Sequence, residues 1–282
     1  EKNLKVKHEE SKEEKKKITE LSAKDFITWK FFDKRREVGS KKIADRVFLL
    51  RSGTGSGKTV TIAPDFYEKY EDRRIALLQK TIAVTLESVK EIDKIYKFMK
   101  LGETLGYSSS SNKKATRKGV VISPYDTLLH QLKSNTDEEF IRKYSLIIID
   151  EVHTRNKSID LIMLYMKNII SRNLSDPRCP FLLLMSATFN PYDYLDYFGL
   201  DIIDNFIDVP GSTPCNVEDI YLERPINRYD YKALDIVTEI DKIKESPPNN
   251  ILLFEPSVSM SKFGDNITNK KLNILPVRLD RV

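Results

Sequence analysis

The chain has 282 residues, 40% hydrophobic and 32% charged, enough for one full α/β domain and part of another around a sizeable core. Forty-seven Lys and Arg against 42 Asp and Glu leave a net charge of +5, which permits a nucleic-acid partner without demanding one. No apolar run approaches the roughly 20 residues of a membrane-spanning helix, and the two cysteines, Cys179 and Cys215, form no C-x-x-C pair, which argues against zinc or a disulfide framework and for a reducing, intracellular compartment.

The first 22 residues are a charged arm of Lys and Glu, without the apolar stretch of a signal peptide. A start at Glu1 rather than Met suggests a fragment or a processed product. Ser22 is placed to cap a helix over Ala23 to Arg36, in which Phe26, Trp29 and Phe32 recur as packing residues. From Arg46 the pattern changes. RVFLLRS, RIALLQ, GVVIS, YSLIIID and FLLLMSA read as buried strands, separated by helices of which Ile82 to Met99 and Lys157 to Ile170 are the clearest. Continuous apolar strands alternating with helices predict a parallel sheet covered on both faces. Gly106 to Gly119, rich in Ser and Lys, reads as a mobile loop. A first domain is expected over 23–222 and a second over 223–282, where too few residues remain for a complete unit of the same kind.

Two segments carry chemistry. SGTGSGKT runs from Ser52 to Thr59 after the first strand. Gly53, Gly55 and Gly57, with Thr54 and Ser56 between them, let backbone N–H groups turn around a polyphosphate without Cβ clashes. Lys58 supplies a charge for the β- and γ-phosphates, the Thr59 hydroxyl suits Mg²⁺, and the following helix points its positive end at the anion. The pattern usually has Gly or Ala where this chain has Ser52, a small residue and a tolerable change. The bland alternative is a Gly-rich turn with an incidental Lys; the strand before it and the helix after it oppose that. The second segment is DEVH. Asp150 and Glu151 emerge at the C-terminal end of a buried strand, the edge where open α/β sheets bind ligands. Asp150 is placed to hold Mg²⁺ and Glu151 to polarise an attacking water; a helix-capping acidic pair is the plainer reading.

These motifs resemble those of DExH-box superfamily 2 helicases, with the greatest likeness to the DEAH/RHA and poxvirus nucleoside-triphosphatase II branch. SGTGSGKT resembles their motif I, Asp150 to His153 their motif II, and Ser186 to Thr188 (SAT) their motif III. Leu77 to Ser88 looks like the phosphate-gripping segment after motif I, with Lys80 where Arg is usual, and VVISPYDTLL like the next strand-contacting segment, with Ser123 for Thr. Val209 to Leu222 is similar to the Pro-Gly-x-Thr segment that closes the first domain, and Asn249 to Ser257 to the first strand of the second. The Val of DEVH and the divergent linkers lean toward a viral member.

The resemblance implies an α/β fold of RecA-like type, followed by the start of a second RecA-like domain. It implies ATP or another NTP with Mg²⁺ between the two domains, and single-stranded or duplex nucleic acid, RNA favoured, lying across both. His153, Ser186 and Thr188 would relay between nucleotide and strand, while Lys80, Thr81 and Ser123 would meet the strand. No membrane partner is implied, and the oligomeric state is left open. The family's arginine fingers lie in a Gln-Arg-x-Gly-Arg-x-Gly-Arg motif, which does not occur after Ser257. The expectation is an NTP-hydrolysing helicase whose N-terminal, ATP-binding part is this chain, weakly active or inactive by itself. A non-enzymatic relic that binds nucleotide and nucleic acid is the competing reading. A DNA translocase of a restriction or remodelling complex is a third, opposed by DEVH and the Pro-Gly-x-Thr segment.

Overall fold

The computed structural model describes residues 39–53, 56–70, 73–98, 105–108, 113–114, 118–209 and 235–236. The proposed N-terminal helix with Phe26, Trp29 and Phe32, together with Thr54, Gly55, Cys215 and the segments from 210 expected to close one domain and open the next, lie outside the described residues. The chain divides into two compact units, Glu1–Asn216 and Val217–Val282, and the first contains all the elements discussed below.

Eight strands form one sheet: β1 (Val47–Ser52), β2 (Arg74–Gln79), β3 (Leu105–Ser108), β4 (Lys113–Lys114), β5 (Gly119–Pro124), β6 (Tyr144–Ile149), β7 (Phe181–Ser186) and β8 (Phe206–Val209), in the order β4-β3-β5-β2-β6-β7-β1-β8. All neighbours are parallel except β3 and β4. The five apolar runs legible in the sequence are β1, β2, β5, β6 and β7. The connecting helices are α1 (Lys58–Tyr70), α2 (Ile82–Phe98), α3 (Tyr125–Ser134), α4 (Asp137–Lys143), α5 (Lys157–Arg172), α6 (Tyr192–Phe198) and α7 (Ile202–Asn205).

The expected loop over Gly106 to Gly119 is corrected in part. Leu105–Ser108 pairs with β5 (Leu105↔Val120, Gly106↔Val121, Tyr107↔Ile122), and Lys113–Lys114 turns back against it. Both strands are short and lie at the sheet margin, β4 with only one paired side, so an apolar run is not needed there and Ser- and Lys-rich sequence reads as loop. Among the described residues no helix is long and apolar enough to cross a membrane.

Both faces of the sheet are buried. Alternate residues of a strand point to opposite faces. Val47, Leu49, Leu78, Ile147, Ile149, Leu182 and Leu184 pack with side chains of α3, α4, α5 and α6. Phe48, Leu50, Ile75, Leu77, Ile148, Leu183 and Met185 pack with α1 and α2, through Ile62, Phe66 and Ile92. Strands buried on both sides lose the polar alternation of a half-exposed strand, which is why these runs are continuously apolar. Helix α5 buries Ile159, Ile162, Met163, Met166, Ile169 and Ile170, one stripe at helical spacing, and the Asn156 side chain caps its first turn by accepting from Ile159 N at 2.8 Å.

Surface ties fix the helix ends. Asp137, in the first turn of α4, accepts from Arg172 Nε at 2.8 Å and Nη2 at 3.0 Å, and from Asn173 at 3.1 Å. The Arg172 bonds hold the Asp137 carboxyl below the ordinary carboxylate range, helped by Asn173 and opposed by partial burial. A depressed folded pKa contributes stability that is present above the unfolded value and lost as pH falls through the folded one. The stability advantage of the native chain over Asp137→Asn is therefore expected at neutral pH and should vanish on acidification below the carboxylate range; denaturant melts across pH check this. For the core, Ile148→Ala, at a fully buried central position, should cost about 2–5 kcal/mol in urea unfolding. A loss under about 1 kcal/mol would mean the sheet is not packed on both faces.

Candidate nucleotide site

The site is built at the carboxyl edge of the sheet, and strand parity decides which side chains face one another. Ser52 follows Leu50 on the α1 side of β1, Gln79 follows Leu77 on that side of β2, and Asp150 follows Ile148 on that side of β6. Helix α1 begins with Lys58, immediately after the glycine-rich loop. Parity therefore turns the Asp150 carboxylate toward the start of α1. Thr59 Oγ1 donates to Asp150 Oδ2 at 2.6 Å, although 91 residues separate them in the chain.

Within the loop, Gly57 has φ of +75°, the left-handed region that side chains with a Cβ rarely adopt. A Cβ there would find room, at 3.4 Å from Thr61 Cγ2, so the constraint is the backbone angle. The Gly57 carbonyl accepts from the N–H groups of Val60 and Thr61, each at 3.0 Å, and from Thr61 Oγ1 at 2.9 Å, which anchors the first turn of α1. Ser52 is fully buried, and its hydroxyl bonds to that of Ser56. The departure from Gly or Ala at position 52 thus adds a polar tie across the base of the loop, which the sequence did not announce.

Lys58 is 6% exposed, and its Nζ lies 3.6 Å from Glu151 Oε1. Asp150 is 2% exposed. Its Oδ1 accepts from Glu151 N at 2.9 Å, and its Oδ2 also accepts from Gln79 Nε2 at 3.3 Å. The Tyr125 hydroxyl donates to the Asp150 carbonyl at 2.6 Å. Burial, reinforced by the negative charge of Asp150, pushes the Tyr125 phenol well above its ordinary pKa, so it remains a donor.

Glu151 has φ 52° and ψ 42°, left-handed backbone for a residue with a long side chain. Such a conformation costs about 1–2 kcal/mol and persists only where its surroundings impose it. Here a 3-10 turn over Val152–Thr154 follows directly, with Thr154 N and Oγ1 both donating to Glu151 O at 3.1 Å. The turn brings His153 back over the strand end, where Nδ1 lies 3.2 Å from Glu151 Oε2 and 2.7 Å from Ser186 Oγ. Register explains the second contact: Ile149 pairs with Leu184, so residues two further along, Glu151 and Ser186, end at one level. Ser186 Oγ donates to Thr188 O and accepts from Thr188 N, both at 3.2 Å. His153 Nδ1 thus lies between the Glu151 carboxylate, which only accepts, and the Ser186 hydroxyl, which can donate or accept.

The structure thus brings together Lys58, Thr59, Asp150, Glu151, His153 and Ser186. Thr188 joins through its backbone, its side chain being exposed. The segments expected to meet a strand lie at the same edge, with different exposures. Lys80 is exposed at the end of β2. Thr81 is exposed too, and its hydroxyl accepts from Val84 N at 3.3 Å, capping α2. Ser123 is only 4% exposed, so its hydroxyl is turned into the protein. Gln79 and Tyr125 were not foreseen as site residues; both lie inside family-like segments, but a Gln closing an apolar strand and a Tyr opening a helix do not by themselves point to the Asp150 carboxylate.

The donors suit the cofactors expected. A hydroxyl and a carboxylate converging on one point are hard oxygen ligands of the kind Mg²⁺ takes when it keeps waters and phosphate oxygens as its other ligands. Among the described residues no group of three or more His, Cys, Asp or Glu is placed to hold a metal ion.

The model of the family described as "Type III restriction enzyme, res subunit" matches residues 8–191. A relative from African swine fever virus (isolate Pig/Kenya/KEN-50/1950), named "Putative RNA Helicase B962L", is 31% identical over 242 residues, 78% of this chain and 25% of that protein. The chain belongs to the DExH-box helicases of superfamily 2. The "ATP-dependent RNA helicase TDRD9" of Danio rerio is 28% identical over 197 residues, 67% of the chain and 14% of that protein. The crystal structure of the Escherichia coli DEAH/RHA helicase HrpB superposes with a TM-score of 0.63 at 19% identity, over 81% of this chain and 28% of that one, which shows the RecA-like α/β fold. The chain spans about a quarter of the length of the African swine fever virus relatives it matches.

Proposed function

We propose that this DExH-box chain is the ATP-binding part of a helicase that hydrolyses NTP to move along or unwind nucleic acid, RNA favoured. The observation that carries the reading is the meeting of Thr59 with Asp150 at 2.6 Å beside the Lys58–Glu151 pair at 3.6 Å. A buried carboxylate and a buried ammonium are costly to keep even when partnered, and such groups gathered at a sheet edge are the mark of a site for a charged ligand. The names of the relatives, RNA helicases of viral and animal origin, support the same reading.

In this mechanism the N–H groups at the start of α1 and the Lys58 ammonium bind the β- and γ-phosphates. Thr59 and Asp150 would hold Mg²⁺, which neutralises charge on the phosphate oxygens when bound. Glu151, whose carboxylate is about one-third exposed, orients the attacking water and takes its proton. His153 holds Glu151 on one side and Ser186 on the other, so a movement of the Ser186–Thr188 turn reaches the water-orienting carboxylate through one imidazole. Lys80 and the α2 start offer charge and N–H groups to a strand's phosphates.

Residues 1–282 hold no Gln-Arg-x-Gly-Arg-x-Gly-Arg sequence. In this family such arginines stabilise the transferring phosphate, an effect of about 10³–10⁵ in rate for related NTPases. This chain by itself is therefore expected to bind nucleotide with little turnover.

Two experiments test the proposal. Lys58→Ala should weaken Mg-ADP binding at least about tenfold, close to 1.4 kcal/mol, by calorimetry. Equal affinities would remove the loop as a phosphate site. Binding of a single-stranded RNA oligonucleotide should tolerate sequence changes, fall with rising salt, and lose about one unit of salt slope in Lys80→Ala. Salt-insensitive binding, or no effect of Lys80→Ala, would remove the assignment of Lys80.

A further inference from the structure

Asp150 is held from two further directions, by Gln79 and Tyr125, which lie inside the segments that resemble strand-contacting ones but face the other way, onto the nucleotide site. Gln79 ends β2, and register places it level with Asp150: Leu78 pairs with Ile149, and Asp150 N continues the ladder by donating to Leu78 O at 3.2 Å. Both side chains face the α1 side. Gln79 is 2% exposed, and its amide lies against Asp150 Oδ2, the same oxygen that Thr59 contacts. A carboxylate only accepts, so the amide nitrogen must face it. Tyr125, also 2% exposed, opens α3 and donates to the main-chain oxygen of Asp150. The carboxylate is thus fixed through Gln79, and the backbone that carries it through Tyr125.

From this juxtaposition we infer that Gln79 and Tyr125 are positioning residues for Asp150: they hold its carboxylate where a nucleotide-borne Mg²⁺ meets it. The inference rests on the reading of Asp150 as a metal-holding residue. A carboxylate at the end of a strand can rotate about χ1 and χ2. With Glu151 N on Oδ1, Gln79 on Oδ2 and Tyr125 on the carbonyl, its plane is set before any cation arrives. Fewer conformations are then lost on binding, which is how preorganised contacts raise affinity. Thr59 can turn its hydroxyl toward a metal while the Gln79 amide still restrains Oδ2. The placement also has a consequence for the strand. Gln79 directly precedes Lys80, and Tyr125 follows Ser123 by two residues, so both positioning residues lie inside the two segments that resemble strand-contacting ones.

The test titrates a fluorescent ADP analogue into the chain with and without Mg²⁺, and reads the ratio of the two affinities. Wild type should bind more tightly with Mg²⁺. Gln79→Met, similar in length and lacking the donor, should lower that ratio about tenfold, the scale of a lost hydrogen bond to a charged group. Tyr125→Phe should lower it several-fold. A purely structural role would weaken both affinities together and leave the ratio unchanged, as would a role in nucleotide contact alone. A wild-type ratio retained by both variants overturns the inference. A wild type whose affinity ignores Mg²⁺ overturns the metal reading of Asp150 itself, and is recognised before any variant is made.

Discussion

The hydrogen bond from Thr59 to Asp150 joins two parts of the chain that share no strand pairing. Thr59 belongs to the helix that follows β1, Asp150 ends β6, and β7 lies between those strands. The contact exists because two independent conditions are met. Parity puts Asp150 on the α1 side of the sheet, and the parallel register keeps the ends of β1, β7 and β6 near one level, with Leu49, Leu184 and Ile149 aligned across them. A slip of one residue in β6 would turn Asp150 to the other face and bring Glu151 to the place it holds. The apolar content of the strands thus does more than stabilise: by filling both faces it fixes the register on which the site depends.

Around that contact the polar groups are arranged so that each holds the next. Glu151 is drawn by Lys58 on one side and His153 on the other, while its backbone occupies left-handed space. The turn over Val152–Thr154 and the Tyr194 hydroxyl, which donates to Val152 O at 3.2 Å, hold the peptide in that form. Among the described residues the non-glycine positive φ values are those of Glu151 and Arg155, so the backbone strain gathers in the one turn that carries the carboxylate proposed to orient water.

Much of this was legible in the sequence, for physical reasons. Strands β1, β2, β5, β6 and β7 are central and covered on both sides, so their apolar runs have no other use. The glycine-rich loop and DEVH were readable as candidates because the phosphate binding and metal holding proposed for them need those residue types in that order. Strands β3, β4 and β8 were missed. The first two are short and polar at one edge. The third, β8 (Phe206–Val209), has only four residues at the other edge, where Asp208 points out to pair with Arg51 on β1, too short a run to stand out as a strand. Gln79 and Tyr125 were hidden because their importance lies in register with a strand distant in sequence. The Ser52–Ser56 tie was hidden because a Ser in place of Gly signals only tolerance. Ser123 shows the converse: its place in a family-like segment suggested a contact surface, and the structure buries it.

On the reading proposed here, the start of α1 and the end of β6 form one nucleotide site. A crystal structure of the chain grown with Mg²⁺ and a non-hydrolysable ATP analogue tests it most directly. The β-phosphate is expected within hydrogen-bond distance of the N–H groups of Gly57 to Thr59 and of Lys58 Nζ. Thr59 Oγ1 and Asp150 Oδ2 are expected to be parted, with the metal between them. A nucleotide bound elsewhere, or one at the loop with the Thr59–Asp150 bond intact and no metal beside it, would contradict the account.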